Sequence, residues 1–211
     1  CTICHKYPCA CETGKPDTGT SSGGNQTNPG GGNSGGNSGG NNSGSGNQGG
    51  GKPQKPVSHK VKPEKITNAM PGVREYVIKH HGMKEPACNV GVKEAFKAVI
   101  GPLPKGMDVK ATQMVTYWEN HPNEWKEIKL SEAQKLANEG YFVVAGWKNP
   151  APGGSGHVVV IVPGETVKGS KWAPEVPVVL DMGRNMRHVK NTISGSFGDS
   201  KRPSVKFFYY K

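Results

Sequence analysis

Residues Ser155–Gly164 read SGHVVVIVPG. A short run of β-branched apolar residues bounded by Gly and Pro marks a buried strand. The run opens on His157, and a strand of valines has no packing need for an imidazole at its mouth. The loop before it, NPAPGGSG (Asn149–Gly156), ends on Gly156, where a missing side chain lets backbone approach closely. A histidine heading a rigid strand points into a cleft rather than into the core.

Further strands are expected over Tyr141–Gly146, Val176–Asp181 and Val205–Tyr210, with the strand at His157 running to Val162. Four helices are expected upstream of or beside them. NAMPGVREYVIKHHG carries Asn68 as a cap and Pro71 near its start. CNVGVKEAFKAV places Val92, Ala95, Phe96 and Val99 at helical spacing and stops at Gly101 and Pro102. DVKATQMVTYWENH is the third, and SEAQKLANEG, with Ser131 as cap and Gly140 as stop, is the fourth. GSFGD reads as a turn. Helices first and strands second predict an α+β domain, with helices on one face of an antiparallel sheet.

The 211 residues divide sharply in composition. From Glu12 to Pro56 the chain is almost entirely Gly, Ser, Asn, Thr, Gln, Pro and Lys. Such a stretch buries too little apolar surface to offset the entropy of ordering it, and it is expected to be a disordered tether. The organisation expected is a Cys-rich segment (1–11), a flexible linker (12–64) and one folded domain (65–211). The chain starts at Cys1, which suits a processed product or a fragment. No apolar run is long enough to span a membrane. The net charge of +11 suits an anionic partner. Nucleic acid is disfavoured, because the folded part lacks zinc-finger spacing, an RNP-like aromatic strand and an arginine-rich helix.

The first residues, CTICHKYPCAC, hold Cys1, Cys4, Cys9 and Cys11. Three chemistries fit them: a zinc knuckle, disulfides in an oxidising compartment, or lipidation at Cys1 ahead of a tether. Cys88 stands apart, at the start of the second helix, where unpaired N–H groups and the helix dipole favour a thiolate. A lone cysteine can equally be a small buried hydrophobe. A thiol nucleophile needs an imidazole close in space, and His157 is the best placed. His5 and His59 are expected outside the folded domain, His80 and His81 at a helix end, and His121 in a turn. If the strands at His157 and Val176 pair antiparallel, Asp181 ends beside His157 and can orient it, with His188 and Asn185 as alternatives. Trp118, Trp125 and Trp147 are expected in the core rather than along a cleft.

Taken together, CNVGVKEAFKAV, YFVVAGWKNP and GHVVVIVPG resemble the NlpC/CHAP superfamily of papain-like peptidoglycan hydrolases, and in particular secreted bacterial amidase effectors. The resemblance covers about Ala69 to Tyr210. It implies a papain-like fold, with Cys88 as nucleophile, His157 as base and Asp181 as third residue. It also implies cleavage of an amide in bacterial peptidoglycan without cofactor or metal. A monomer at the cell envelope or outside the cell, with an immunity or inhibitor protein as partner, is the matching expectation. The sequence departs from the family in its spacing: His157 follows Cys88 by 69 positions (157 − 88), longer than is usual, with TQMVTYWENHPNEWKEI inserted. That insert is expected to form a wall of the substrate cleft. The rival functions are a non-catalytic wall-binding or adhesion module and a cysteine protease-like toxin acting on protein.

Overall fold

The computed structural model describes residues 59–168 and 171–211. The Cys-rich segment and most of the expected linker lie outside the described residues. Within them the chain is α+β, with helices packed on an antiparallel sheet.

Helix α1 spans Pro63–His81 and buries Ile66, Met70, Val73 and Val77, a stripe at steps of four, three and four. It begins earlier than expected, so Asn68 and Pro71 lie inside it. Ile66 extends the buried stripe by a turn, and Pro63 suits a first-turn position because its missing N–H is not needed there. Pro71 removes one donor mid-helix, a cost the buried stripe outweighs. The packed chain also starts before the Lys65 boundary. The His59 amide donates to the Lys211 carbonyl (3.2 Å) and the Val61 amide to the Gly140 carbonyl (2.9 Å). The His59 ring lies against Tyr210, centroids 4.5 Å apart, so His59 belongs to the domain rather than outside it.

Helix α2 (Cys88–Val99) buries Val92, Ala95, Phe96 and Val99 as expected. After α3 (Ala111–Asn120) comes a short strand, β1 (Trp125–Ile128). Helix α4 (Leu130–Asn138) is capped at Lys129, whose amide donates to the Glu132 carboxylate (2.9 Å); Ser131 sits inside the first turn instead of capping it. The remaining elements are β2 (Val143–Trp147), β3 (His157–Ile161), β4 (Val167–Lys168), β5 (Glu175–Val176), β6 (Val178–Asp181), β7 (His188–Thr192), α5 (Ile193–Phe197) and β8 (Val205–Tyr210). The expected strand from Val176 is divided at Pro177, which has no N–H to give a ladder. GSFGD is no simple turn. Ile193 and Phe197 anchor α5 four residues apart, and the Thr192 hydroxyl caps it by accepting the Gly195 amide.

The sheet runs β1-β8-β2-β3-β6-β7, every neighbour antiparallel. Alternation along the strands makes two cores, so helices cover both faces of the sheet and not the one face expected. Val144, Val158, Val160, Leu180 and Phe208 face α1, α2 and α3. Val143, Ala145, Val159, Ile161 and Phe207 pack with α4, α5 and Trp172. Trp118 and Trp125 belong to the first core, as expected.

Helix α2 is fixed to the end of β6. The Ala87 amide, one residue before the helix, donates to the Met182 carbonyl (3.2 Å). Close approach requires Gly91, since a Cβ there would lie 2.5 Å from Met182 Cγ and 2.8 Å from its Cβ. Gly91→Ala is therefore an overpacking substitution, expected to cost about 1–3 kcal/mol despite alanine's better helix propensity. Urea unfolding of the full chain measures this, and a more stable variant would show that the contact relaxes freely.

Candidate active site

Three elements deliver the three residues singled out in the sequence. Cys88 is the first residue of α2, a free cysteine only 7 % exposed. His157 is the first residue of β3, opposite Trp147 of β2. Asp181 is the last residue of β6 and is fully buried. Strands β3 and β6 do pair antiparallel, through Val160↔Leu180 and Ile161↔Val179, so the end of one adjoins the start of the other. The ladder stops there, and the imidazole sits at the open end, where the two strands lead into their loops. Its ring also meets Phe197 of α5 edge-on, centroids 5.0 Å apart.

The imidazole is bracketed by two groups. Asp181 Oδ1 lies 3.2 Å from His157 Nε2. That contact is one of charge more than a well-aligned hydrogen bond, since Nε2 is buried without a directed partner. The ring also interacts with Cys88, which together with Asp181 raises its pKa. Catalytic contacts are often loose before substrate binds.

Electrostatics fix the charge state. Burial pushes the His157 pKa down, but the hydrogen bonds and charges of Asp181 and Cys88 outweigh it and raise it to about 9. Burial pushes Asp181 up, and that is overcome by His157, Ser196 and the Gly183 amide, so the carboxyl stays below its ordinary value. At neutral pH the pair is imidazolium and carboxylate.

Asp181 is held from every side. Its Oδ1 accepts the Gly183 amide (2.8 Å) and its Oδ2 accepts Asn191 Nδ2 (3.3 Å). Ser196 bonds the same carboxyl, and Asn191 Nδ2 also reaches Ser196 Oγ (3.1 Å). Asn191 and Ser196 were not foreseen, because both lie on elements, β7 and α5, that the sequence pattern does not announce. The alternative orienters are elsewhere. His188 is opposite Asp181 in the ladder but its side chain is exposed, and Asn185 is an exposed turn residue at φ 57°. His80 and His121 bond carbonyls of their own helices, at Tyr76 and Tyr117.

The inserted segment supports the loop before His157. A Cβ on Gly156 would lie 2.5 Å from the Trp147 carbonyl oxygen and 2.7 Å from Thr112 Oγ1, so the expected close approach is there, made against the start of α3. Trp147 is half-buried beside His157 and has the Lys201 ammonium 5.1 Å above its ring. Part of the basic surface is compensated: Lys148 and Lys206 both pair with Glu119, and Lys206 with Glu127. Among the described residues no group of three His, Cys, Asp or Glu side chains is placed to hold a metal ion, and no helix is long and apolar enough to cross a membrane.

Comparison with protein-family models and with curated proteins returned no match for this chain.

The raised His157 pKa has a sign in stability. The folded state holds the proton up to about 9, whereas the unfolded chain releases it near the ordinary 6.5. Between those values the folded state binds more protons, so its stability is greatest below 6.5 and falls as pH rises through 9. Denaturant unfolding across this window is expected to show that decline. In His157→Gln the decline should flatten; an unaltered slope would place its origin at another group.

Proposed function

We propose that the domain is a papain-like thiol hydrolase of the NlpC/CHAP kind that cleaves an amide bond in bacterial peptidoglycan. The observation that carries this reading is the convergence of Cys88, His157 and Asp181 from three separate elements onto one largely buried site, where the imidazole interacts with both sulfur and carboxylate. Resemblance of the segments around Cys88 and His157 to those hydrolases adds the substrate class. A net charge of +11 suits the anionic polymers of a cell envelope.

The chemistry follows from the arrangement. An imidazolium beside the sulfur favours negative charge on it. Cys88 Sγ attacks the amide carbon, and the developing oxyanion lies at the start of α2, where the Cys88 amide is free of an intrahelical acceptor. His157 gives its proton to the departing amine, which leaves a thioester on Cys88. The neutral imidazole then takes a proton from water as the water attacks the thioester. The acid product leaves, and the proton rests again on His157. Asp181 holds the ring's orientation and charge throughout, and its own carboxyl is fixed by Gly183, Asn191 and Ser196. On this reading the protein works at the envelope or outside the cell, and a protein inhibitor that covers Cys88 is its natural partner.

Purified peptidoglycan incubated with the full chain is expected to release new amine and carboxyl termini, identified by mass spectrometry of the muropeptides. Cys88→Ala should lower the rate at least about a thousandfold, because it removes the covalent route, and Asp181→Ala should cost about a hundredfold less than that. Equal release by wild type and Cys88→Ala would end the thiol mechanism.

A further inference from the structure

Arg187 is 3 % exposed, and among the described residues no carboxylate pairs with it. Its guanidinium is filled by backbone carbonyls alone. Nε donates to Gly82 (3.0 Å) and Nη2 to Glu85 (2.6 Å). Nη1 donates to Met182 (3.0 Å), to Met186 (2.7 Å) and to Gly183. Arg187's own carbonyl accepts Arg74 Nε from α1 (2.7 Å). The acceptors fall into two groups. Gly82 and Glu85 belong to the loop that leads into Cys88. Met182, Gly183 and Met186 belong to the turn that follows Asp181.

Burying a guanidinium is costly, and an apolar residue of similar volume would fill the space with no such cost. Carbonyl dipoles solvate the charge but do not neutralise it. Burial lowers the Arg187 pKa from its ordinary value, and the negative charges of Asp181 and the Cys88 sulfur act against that by favouring the protonated guanidinium. By reciprocity the guanidinium favours negative charge on them. Ionisable side chains near the clamp also include Arg74 and His81 on α1, Lys84 and Glu85 on the first loop, Arg184 on the turn and His188 on β7; Lys84, Glu85, Arg184 and His188 are exposed to water.

We propose that Arg187 is the positioning residue of this site: it clamps the loop that delivers Cys88 to the turn that follows Asp181, and its buried positive charge supports the anionic sulfur. The proposal rests on the reading of Cys88 as the nucleophile. Only an arginine fork can reach both groups of carbonyls at once; a lysine ammonium keeps the charge and loses the clamp.

The test is substrate-free. The full chain is alkylated with iodoacetamide over a range of pH, and the modification of the Cys88 peptide is followed by mass spectrometry, with added glutathione and N-acetylcysteine as free-thiol references in the same sample. Wild-type Cys88 is expected to react at lower pH than the references. Arg187→Lys should keep that acid limb but react more slowly, on the order of tenfold, because loss of the clamp moves Cys88 out of the surroundings that activate it. Arg187→Met should move the limb to higher pH. Circular dichroism melts accompany each variant. Wild-type rates in Arg187→Lys, or an unmoved limb in a folded Arg187→Met, would overturn the proposal. So would rate losses that vanish once variants are compared at equal distance below their melting temperatures. If Arg187→Met does not fold, the rate in Arg187→Lys decides alone. An unreactive wild-type Cys88 would instead remove the thiol hydrolase reading, whereas a reactive Cys88 with inert peptidoglycan would remove only the substrate.

Discussion

The hydrogen bond from the Ala87 amide to the Met182 carbonyl joins the two layers at the point where Cys88, His157 and Asp181 meet. One end of it precedes the first residue of α2, and the other follows the last residue of β6. Gly91, one turn into the helix, allows the approach by offering no Cβ to Met182. Cys88 and Asp181 are therefore each one residue from the same bond. The distance from sulfur to carboxylate is set by main chain, and one imidazole fills it. Side-chain rotamers adjust the site only within that frame.

Charge is organised on the same frame. Within a few residues the fold buries a carboxylate, an imidazole and a guanidinium. Such groups are expensive to bury singly and tolerable as a satisfied set. Asp181 is met by a backbone amide, an amide side chain and a hydroxyl as well as by His157. Arg187 is met by five carbonyls. These bonds hold the carboxylate and the guanidinium each in one place.

The features legible in the sequence were those with a strong local signal. The valine run at His157, the apolar spacing of α2 and the placing of Asp181 by antiparallel pairing all rest on periodicity, and the structure follows them. The elements that went unseen are short or mixed in character. WKEI of β1 is four residues long, and HVKNT of β7 carries polar side chains on both faces. Their strand character comes from pairing with β8 and β6, which no local pattern encodes. Asn191 was hidden with β7. Arg187 was hidden for a different reason: its partners are main-chain oxygens, and a carbonyl leaves no trace in residue identity. The early start of α1 was readable, since Pro63 and Ile66 carry the signal, but Asn68 and Pro71 offered a competing start.

The clasp between His59 and Lys211 gives the domain a direction. Strand β8 runs from Val205, level with Trp147 and His157, to Tyr210 at the far edge of the sheet. There the chain's entry and its last residue are bonded to each other. Chain entering at His59 thus joins the domain at the pole opposite the histidine. The two ends of the described domain are thus tied together at the end of the sheet away from His157.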